Sequence, residues 1–123
     1  MTKIKNLKPE IHRERLIIEG FYNIGISEGL LKNFLIGLSE ALAMKVIAGP
    51  FIFSPDKFSL IHHGMGGFIA WVESGAAFYS WGEHKFFTLD IYSCKALNTL
   101  LVIEYVKREL ECSDIVWQKI EYE

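Results

Sequence analysis

The sequence has few cysteines, no long apolar run and no cluster of basic residues. Cys94 and Cys112 are the only two cysteines, and the polar start of the chain lacks the apolar centre of a secretory signal. No apolar stretch reaches the ~18 residues of a membrane-spanning helix. The formal net charge is −2, so nucleic-acid binding has no electrostatic support. We therefore expect a reduced, cytoplasmic protein that binds neither nucleic acid nor membranes.

A metal site is also not indicated. The four histidines are scattered along the chain, and none pairs with a cysteine at the intervals typical of zinc sites. They are His12, His62, His63 and His84. We expect no bound metal.

Apolar and aromatic residues, in contrast, are abundant. They make up 50% and 14% of the 123 residues, which is more than a core of this size needs. The surplus indicates a buried contact between subunits. We expect a single domain over residues 1–123, with residues 1–11 as a flexible arm.

Periodicity of the apolar residues predicts an α+β fold. We expect strands at residues 12–22, 45–53, 68–73, 76–81, 85–94 and 114–122. Helical spacing predicts one helix that begins after the N-cap Ser27 and ends near Met44. A second helix is predicted over residues 95–110, with an inner stripe of Leu97, Leu100, Leu101, Val106 and Leu110.

The links between these elements predict how they pack. Short corners at Ser74-Gly75 and Gly82-Glu83 imply antiparallel hairpins, and Gly49-Pro50 places its strand at a sheet edge. Residues 54–67 form a long loop of the kind used for binding. The expected architecture is an antiparallel sheet with two helices on one face. The other face or an edge would pair with a second copy, giving a homodimer or a higher homo-oligomer.

Residues 64–94 contain the candidate chemistry, and they read GMGGFIAWVESGAAFYSWGEHKFFTLDIYSC. The last strand of this stretch alternates strictly. Phe87, Leu89 and Ile91 fall on one face, while the other face, which is polar and aromatic, ends at Cys94. Such a strand covers a core with one side and presents functional groups on the other.

This stretch resembles the short bacterial and archaeal S-adenosylmethionine decarboxylases. Their pattern is G-V-S-G, a hydrophobic strand, E-S-H, a strand, H-T-W-P-E, and a strand that ends in F-T-C. The corresponding segments here are Gly64-Met65-Gly66-Gly67, Glu73-Ser74-Gly75, Tyr79-Ser80-Trp81-Gly82-Glu83 and Tyr92-Ser93-Cys94. The spacing from the serine to the glutamate and to the cysteine matches without a gap.

The resemblance implies a function and roles for individual residues. The chain would cut itself between Glu73 and Ser74, and Ser74 would become a pyruvoyl group that serves as the electron sink for decarboxylation. Cys94 would donate a proton to the decarboxylated carbon. Glu83 would hold the ribose hydroxyls beside Trp81. Two protomers would pack together with active sites between them, and the product would enter polyamine biosynthesis.

The departures from the family pattern fall on catalytic positions. The family serine of G-V-S-G corresponds to Gly66, and the family histidine of H-T-W-P-E corresponds to Tyr79, whose phenol is a weak base at neutral pH. His62 and His63 lie just before Gly66 in the sequence and could replace the missing serine and histidine in self-cleavage. We keep Tyr79 as a catalytic candidate, and Gly66 and His63 as candidates for substrate binding.

Several functions therefore stay open. In all of them the protein binds an adenosyl-sulfonium ligand or a related substrate. The first is decarboxylation of S-adenosylmethionine or a close derivative. The same machinery could act on ornithine or arginine. An unprocessed lyase could instead expel methylthioadenosine from S-adenosylmethionine, with Tyr79, Glu73 or Glu83 stabilising the cation. The last is a non-catalytic, ligand-binding paralogue.

Overall fold

A six-stranded sheet and two helices make up the fold in the computed structural model, which describes residues 3–123. Met1 and Thr2 of the predicted arm lie outside the described residues. The elements in chain order are β1 (Glu14–Phe21), α1 (Glu28–Ala41), β2 (Val46–Phe53), β3 (Gly66–Trp71), β4 (Ser74–Trp81), β5 (Phe86–Ser93), α2 (Thr99–Glu109) and β6 (Asp114–Lys119). The strand order is β2-β3-β4-β5-β1-β6, and all neighbouring strands are antiparallel. The predicted α+β fold with an antiparallel sheet is confirmed.

The two helices begin at side-chain caps. The Ser27 hydroxyl accepts a hydrogen bond from the Leu30 N–H, which starts α1 as predicted. Asn98 accepts from the Leu101 N–H, so α2 starts at Thr99 rather than at residue 95. The predicted inner stripe of α2 is wrong at Leu100 and Leu101, which are 66% and 36% exposed. The buried face of α2 consists instead of Val102, Ile103, Tyr105 and Val106.

The core lies between the helices and one face of the sheet. Alternate residues of the central strands point into it and are fully or almost fully buried, among them Leu16, Ile18, Phe78, Phe87, Leu89 and Ile91. The other face of the sheet exposes large apolar side chains, namely Ile17, Phe21, Phe51, Phe68 and Val116. We call this side of the sheet the bare face.

The β3–β4 turn lies two residues earlier than predicted. Trp71 pairs directly with Ser74, so Val72 and Glu73 alone form the link. Ser74 and Gly75, predicted as the corner, are already the first residues of β4. The second corner, at residues 82–85, lies where the sequence predicts it. The shift matters because it makes Ser74 a strand residue with a fixed cross-strand partner.

The remaining connections agree with the sequence pattern. β2 is an edge strand whose register with β3 shifts around Gly49-Pro50. The loop that links β2 to β3 covers residues 54–65, two residues fewer than predicted, because Gly66 and Gly67 already pair with β2 as part of β3. It exposes Phe58, Leu60 and Ile61 almost completely. Neither of the two helices described is long and apolar enough to cross a membrane.

Candidate functional site

One group of candidate residues lies where the β3–β4 turn meets the end of β5. We call Glu73, Ser74, Ser93 and Cys94 the turn cluster. The Cys94 N–H donates a hydrogen bond to the Glu73 carbonyl oxygen at 3.2 Å. The Ser74 hydroxyl donates to the Ser93 hydroxyl oxygen at 3.0 Å. The carbonyl before Ser74 and the hydroxyl that could attack it therefore both have fixed partners.

The pairing of β4 with β5 produces this arrangement. Ser74 lies directly opposite Ser93, on the side of the sheet that the helices cover. Ser93 is fully buried, and its hydroxyl oxygen also accepts the Lys95 N–H at 2.8 Å. The Lys95 ammonium lies 3.7 Å from the Glu73 carboxylate, but both side chains are about half exposed, so this ion pair contributes little.

The thiol of Cys94 belongs to the opposite side of the sheet. Its sulfur lies 3.3 Å from the Tyr92 hydroxyl, and this hydrogen bond raises the pKa of Tyr92. The Arg15 guanidinium lies 4.6 Å from the centre of the Tyr92 ring, and the Arg15 Nε donates to the Tyr122 hydroxyl at 3.1 Å. The sheet thus brings the backbones of Ser74 and Cys94 together but directs their side chains to different faces.

A second group lies on the bare face near the edge formed by β2, at the two positions where the sequence departs from the resembled family. Gly66 and Tyr79 are cross-strand partners. Rings of Phe53, Phe68 and Tyr79 pack there with centroids 5.2–6.0 Å apart, and we call these three residues the aromatic cluster. A Cβ added at Gly66 would lie 2.5 Å from the Phe53 ring. Phe53 therefore fills the space that a serine at position 66 would need.

A third group lies at the β4–β5 turn, and we call His62, His63, Trp81 and Glu83 the Trp81 cluster. The His62 ring stacks on the Trp81 indole with centroids 4.2 Å apart and planes 12° from parallel. The His62 Nε2 lies at hydrogen-bond distance, 2.9 Å, from the Ser80 carbonyl oxygen. The loop that holds these histidines is tied to the turn, since the Gly82 N–H donates to the His63 carbonyl oxygen. Glu83 is exposed in the turn.

An open hollow of about 470 Å³ adjoins the Trp81 cluster. Its walls are mostly aromatic and come from Phe21, Ile61, Trp81, His84 and Phe86. The volume falls within the range of sites for small molecules. Flat rings on its walls suit the stacking of a planar heterocycle.

The turn cluster and the Trp81 cluster lie at opposite ends of one hairpin. β4 runs from Ser74 to Trp81, a distance of about 24 Å at the rise of an extended strand. Tyr79 is about 17 Å along the same strand from Ser74. One chain therefore forms two separate groups. Glu73, Ser74 and Cys94 lie together at one end of the hairpin, and His63, Trp81 and Glu83 lie together at the other end. The chain does not bring His62, His63 or Tyr79 to Ser74.

Sequence reasoning missed the roles of Ser93 and Phe53. Ser93 shares the parity of Phe87, Leu89 and Ile91 along β5, and this signal could have placed it on the buried face opposite Ser74. The contact of Phe53 with Gly66 depends on the register between β2 and β3, which shifts twice and leaves no local pattern. Across residues 3–123, no three His, Cys, Asp or Glu side chains lie close enough together to hold a metal ion.

Comparisons with known proteins agree on one family. The family model described as S-adenosylmethionine decarboxylase matches residues 26–122. The S-adenosylmethionine decarboxylase proenzyme of Thermoplasma volcanium is 34% identical over 68 residues, which cover 54% of this chain and 52% of that protein. The match thus spans about half the length of that relative. The crystal structure of the adenosylmethionine decarboxylase from Aquifex aeolicus covers 91% of both chains with a TM-score of 0.71, and at 18% identity this likeness shows the fold.

Proposed function

This chain belongs to the S-adenosylmethionine decarboxylase family, and from that premise we propose that it is a self-cleaving, pyruvoyl-dependent decarboxylase of S-adenosylmethionine or a close derivative. The turn cluster is the observation that supports the proposal. It holds the Glu73 carbonyl oxygen on the Cys94 N–H and the Ser74 hydroxyl on Ser93. The decarboxylated product would serve polyamine biosynthesis.

The groups of the turn cluster fit the chemistry of self-cleavage. The Ser74 Oγ would attack the Glu73 carbonyl carbon, so that the new C–O bond replaces the peptide C–N bond and the hydroxyl proton ends on the departing nitrogen. The Cys94 N–H already points at the oxygen where negative charge develops and would stabilise it. Loss of the Cα proton of residue 74 would then expel the Glu73 carboxylate and cut the chain.

Water would then release the nitrogen of residue 74 as ammonia and leave a pyruvoyl group at the new chain start. That group supplies the electron sink for decarboxylation. Cys94 would donate a proton to the decarboxylated carbon, and Tyr92 would hold the thiol on the bare face. Because the peptide bond no longer fixes residue 74 after cleavage, the new chain start can turn toward that face.

We propose that a second copy of the chain completes each site. The 24 Å between the turn cluster and the Trp81 cluster exceeds the length of one S-adenosylmethionine molecule. Two copies packed through their bare faces with opposed strand directions would set the turn cluster of one against the Trp81 cluster of its partner. The apolar bare face supplies the contact surface. Trp81 would then stack on the adenine, Glu83 would accept the ribose hydroxyls, and His63 would line the site.

The aromatic cluster favours a second candidate function, an unprocessed lyase. Gly66 and Tyr79 replace the serine and histidine of the family pattern, and Phe53 covers them. Faces of aromatic rings stabilise cations such as a sulfonium. The carboxylate of the bound substrate would attack the methionyl carbon next to sulfur, so that a C–O bond closes a lactone as the C–S bond breaks. Methylthioadenosine would leave with the electron pair of that C–S bond.

Intact-mass measurement tests the proposal, first on fresh protein and then after long incubation. We expect the 14.1-kDa chain to give two fragments that divide between Glu73 and Ser74, the second with a pyruvoyl group and no free amine. The cleaved protein should release carbon dioxide from S-adenosylmethionine. Release of carbon dioxide from ornithine or arginine, but not from S-adenosylmethionine, would assign a different substrate. An uncut chain that produces methylthioadenosine would identify the lyase, and binding without any product would identify a non-catalytic paralogue.

A further inference from the structure

Ser93 combines complete burial with a direct contact to the Ser74 hydroxyl. It is 0% exposed and lies on the helix side of β5 among apolar residues. A buried hydroxyl without partners would destabilise the fold. Ser93 has two partners, the Lys95 N–H at 2.8 Å and the Ser74 Oγ at 3.0 Å. In the resembled family pattern the same position holds threonine, which keeps a hydroxyl there.

We propose that Ser93 is a positioning residue for self-cleavage, a role that rests on the proposed function. The Lys95 N–H fixes the rotamer of Ser93 and so fixes where its oxygen can accept a second hydrogen bond. The Ser74 side chain has three staggered rotamers, and the bond to Ser93 selects one of them. The peptide carbonyl is fixed at the same time by the Cys94 N–H. Nucleophile and electrophile are thus held relative to one another before reaction.

The role requires no net proton transfer to Ser93. The proton of the Ser74 hydroxyl ends on the nitrogen of residue 74, and the Ser93 hydroxyl is unchanged after the reaction. A neutral hydrogen bond of this kind corresponds to a rate effect of about tenfold. Ser93 also lies in the same chain as Ser74, whereas Tyr79 is about 17 Å away along β4. The contribution of Ser93 therefore needs no partner subunit.

The test compares the cleavage rates of full-length variants by intact mass over time. Ser93→Ala should slow cleavage about tenfold, and Ser93→Thr should restore the rate to within about threefold. Ser80→Ala is the matched control, since Ser80 is a buried β4 serine that hydrogen-bonds Met65 and does not contact Ser74. That control should cleave like the wild type. If Ser93→Ala does not fold, Ser93→Cys keeps the volume but accepts hydrogen bonds poorly and takes its place.

Hydroxylamine cuts esters and so shows whether the slow step precedes ester formation, while urea unfolding of the same variants shows whether they are folded. A positioning residue acts before the ester forms, so the slow Ser93 variant should accumulate intact peptide that hydroxylamine does not cut. If Ser93→Ala cleaved as fast as the wild type or faster, the positioning role of Ser93 would be overturned and the proposed function would not. Ser93→Thr as slow as Ser93→Ala, with both folded, would also overturn the positioning role. A wild-type chain that never cleaves would overturn the proposed function and this role with it.

Discussion

The turn cluster and the Trp81 cluster lie at opposite ends of the β4–β5 hairpin but use different physical means. In the turn cluster, the Cys94 N–H and the fully buried Ser93 hydroxyl fix the Glu73 carbonyl oxygen and the Ser74 hydroxyl. In the Trp81 cluster, a stacked ring pair and the exposed Glu83 border an open hollow. Bond-making chemistry requires rigid donors and acceptors, whereas recognition requires accessible surface. The two ends of the β4–β5 hairpin differ in burial, and the Trp81 end is completed by His62 and His63 from the loop at residues 54–65.

The largest expected effect is that one substitution removes self-cleavage and another weakens methylthioadenosine binding, each without affecting the other. Ser74→Ala should abolish self-cleavage completely but leave methylthioadenosine binding unchanged, because the hollow lies at the other end of β4. Trp81→Ala should cleave normally but bind methylthioadenosine about tenfold more weakly, the value expected for one stacked base. Intact mass and calorimetric titration measure the two effects.

Trp117→Ala removes another exposed indole, one that does not line the hollow, and serves as the control for Trp81→Ala. It should bind methylthioadenosine like the wild type. If Ser74→Ala weakened binding tenfold, the turn cluster would contribute to nucleoside binding and the two clusters would not be functionally separate.

Mixed dimers would show whether the two clusters meet across subunits. A dimer of one Ser74→Ala chain and one Glu83→Gln chain has one site with both residues intact, provided that each site draws on both chains. Such dimers, isolated with two different tags, should decarboxylate at about half the wild-type rate. Each variant alone should be nearly inactive. No recovery in the mixed dimer would place the whole site within one chain.

Sequence patterns predicted the framework of both clusters but not their contacts. Alternation in β5 and the cap at Ser27 are local signals, so the sheet and α1 followed from them. The β3–β4 turn was misplaced because Ser74-Gly75 has turn composition, yet the pairing of Trp71 with Ser74 leaves only Val72 and Glu73 for the link. The stripe of α2 was wrong because the cap at Asn98 shifts the start of the helix.

The contacts that were missed join distant parts of the chain. Glu14 accepts the Leu97 N–H across 83 residues, and Phe53 covers Gly66 through a shifted register. Neither leaves a periodic trace in the sequence. Family resemblance identified the motif positions, but the hydrogen bond between Ser74 and Ser93 depends on the register of β4 against β5.

A serine at position 66 would test whether the aromatic cluster, which lies on β2, β3 and β4, excludes the residue of the family pattern. Gly66→Ser should lower the free energy of unfolding by about 1 kcal/mol, the low end for overpacking, because its Cβ would displace the half-buried Phe53 ring. In a Phe53→Ala background the same change should cost less than about 0.5 kcal/mol. Urea unfolding of the four proteins completes the cycle. Equal costs in both backgrounds would exclude Phe53 as the obstacle.

Glu14 should give the turn end of the sheet a pH dependence. Burial alone would raise its pKa, but hydrogen bonds from Lys119, the Leu97 N–H and His12 outweigh it and leave the pKa lowered. A lowered pKa in the folded state means that the stabilisation is fully present above the ordinary pKa of about 4.3 and is lost as pH falls through the folded value. Glu14→Gln should therefore cost about 2 kcal/mol at pH 7 and less at pH 3.

Urea unfolding at both pH values measures this difference. Glu19→Gln removes an exposed carboxylate from the same strand and should change stability by less than about 0.5 kcal/mol at either pH. A Glu14→Gln penalty that persists undiminished at pH 3 would show that packing, and not charge, makes Glu14 important.

The strand order decides what would become of the two pieces of a cut chain. β1, from residues 1–73, lies between β5 and β6 of residues 74–123, while β3 of the first piece pairs with β4 of the second. The pieces are interleaved, and their separation would break three strand ladders and open the core at once. A cut between Glu73 and Ser74 should therefore leave an inseparable two-chain subunit. Its pieces would co-elute in gel filtration and part only in denaturant.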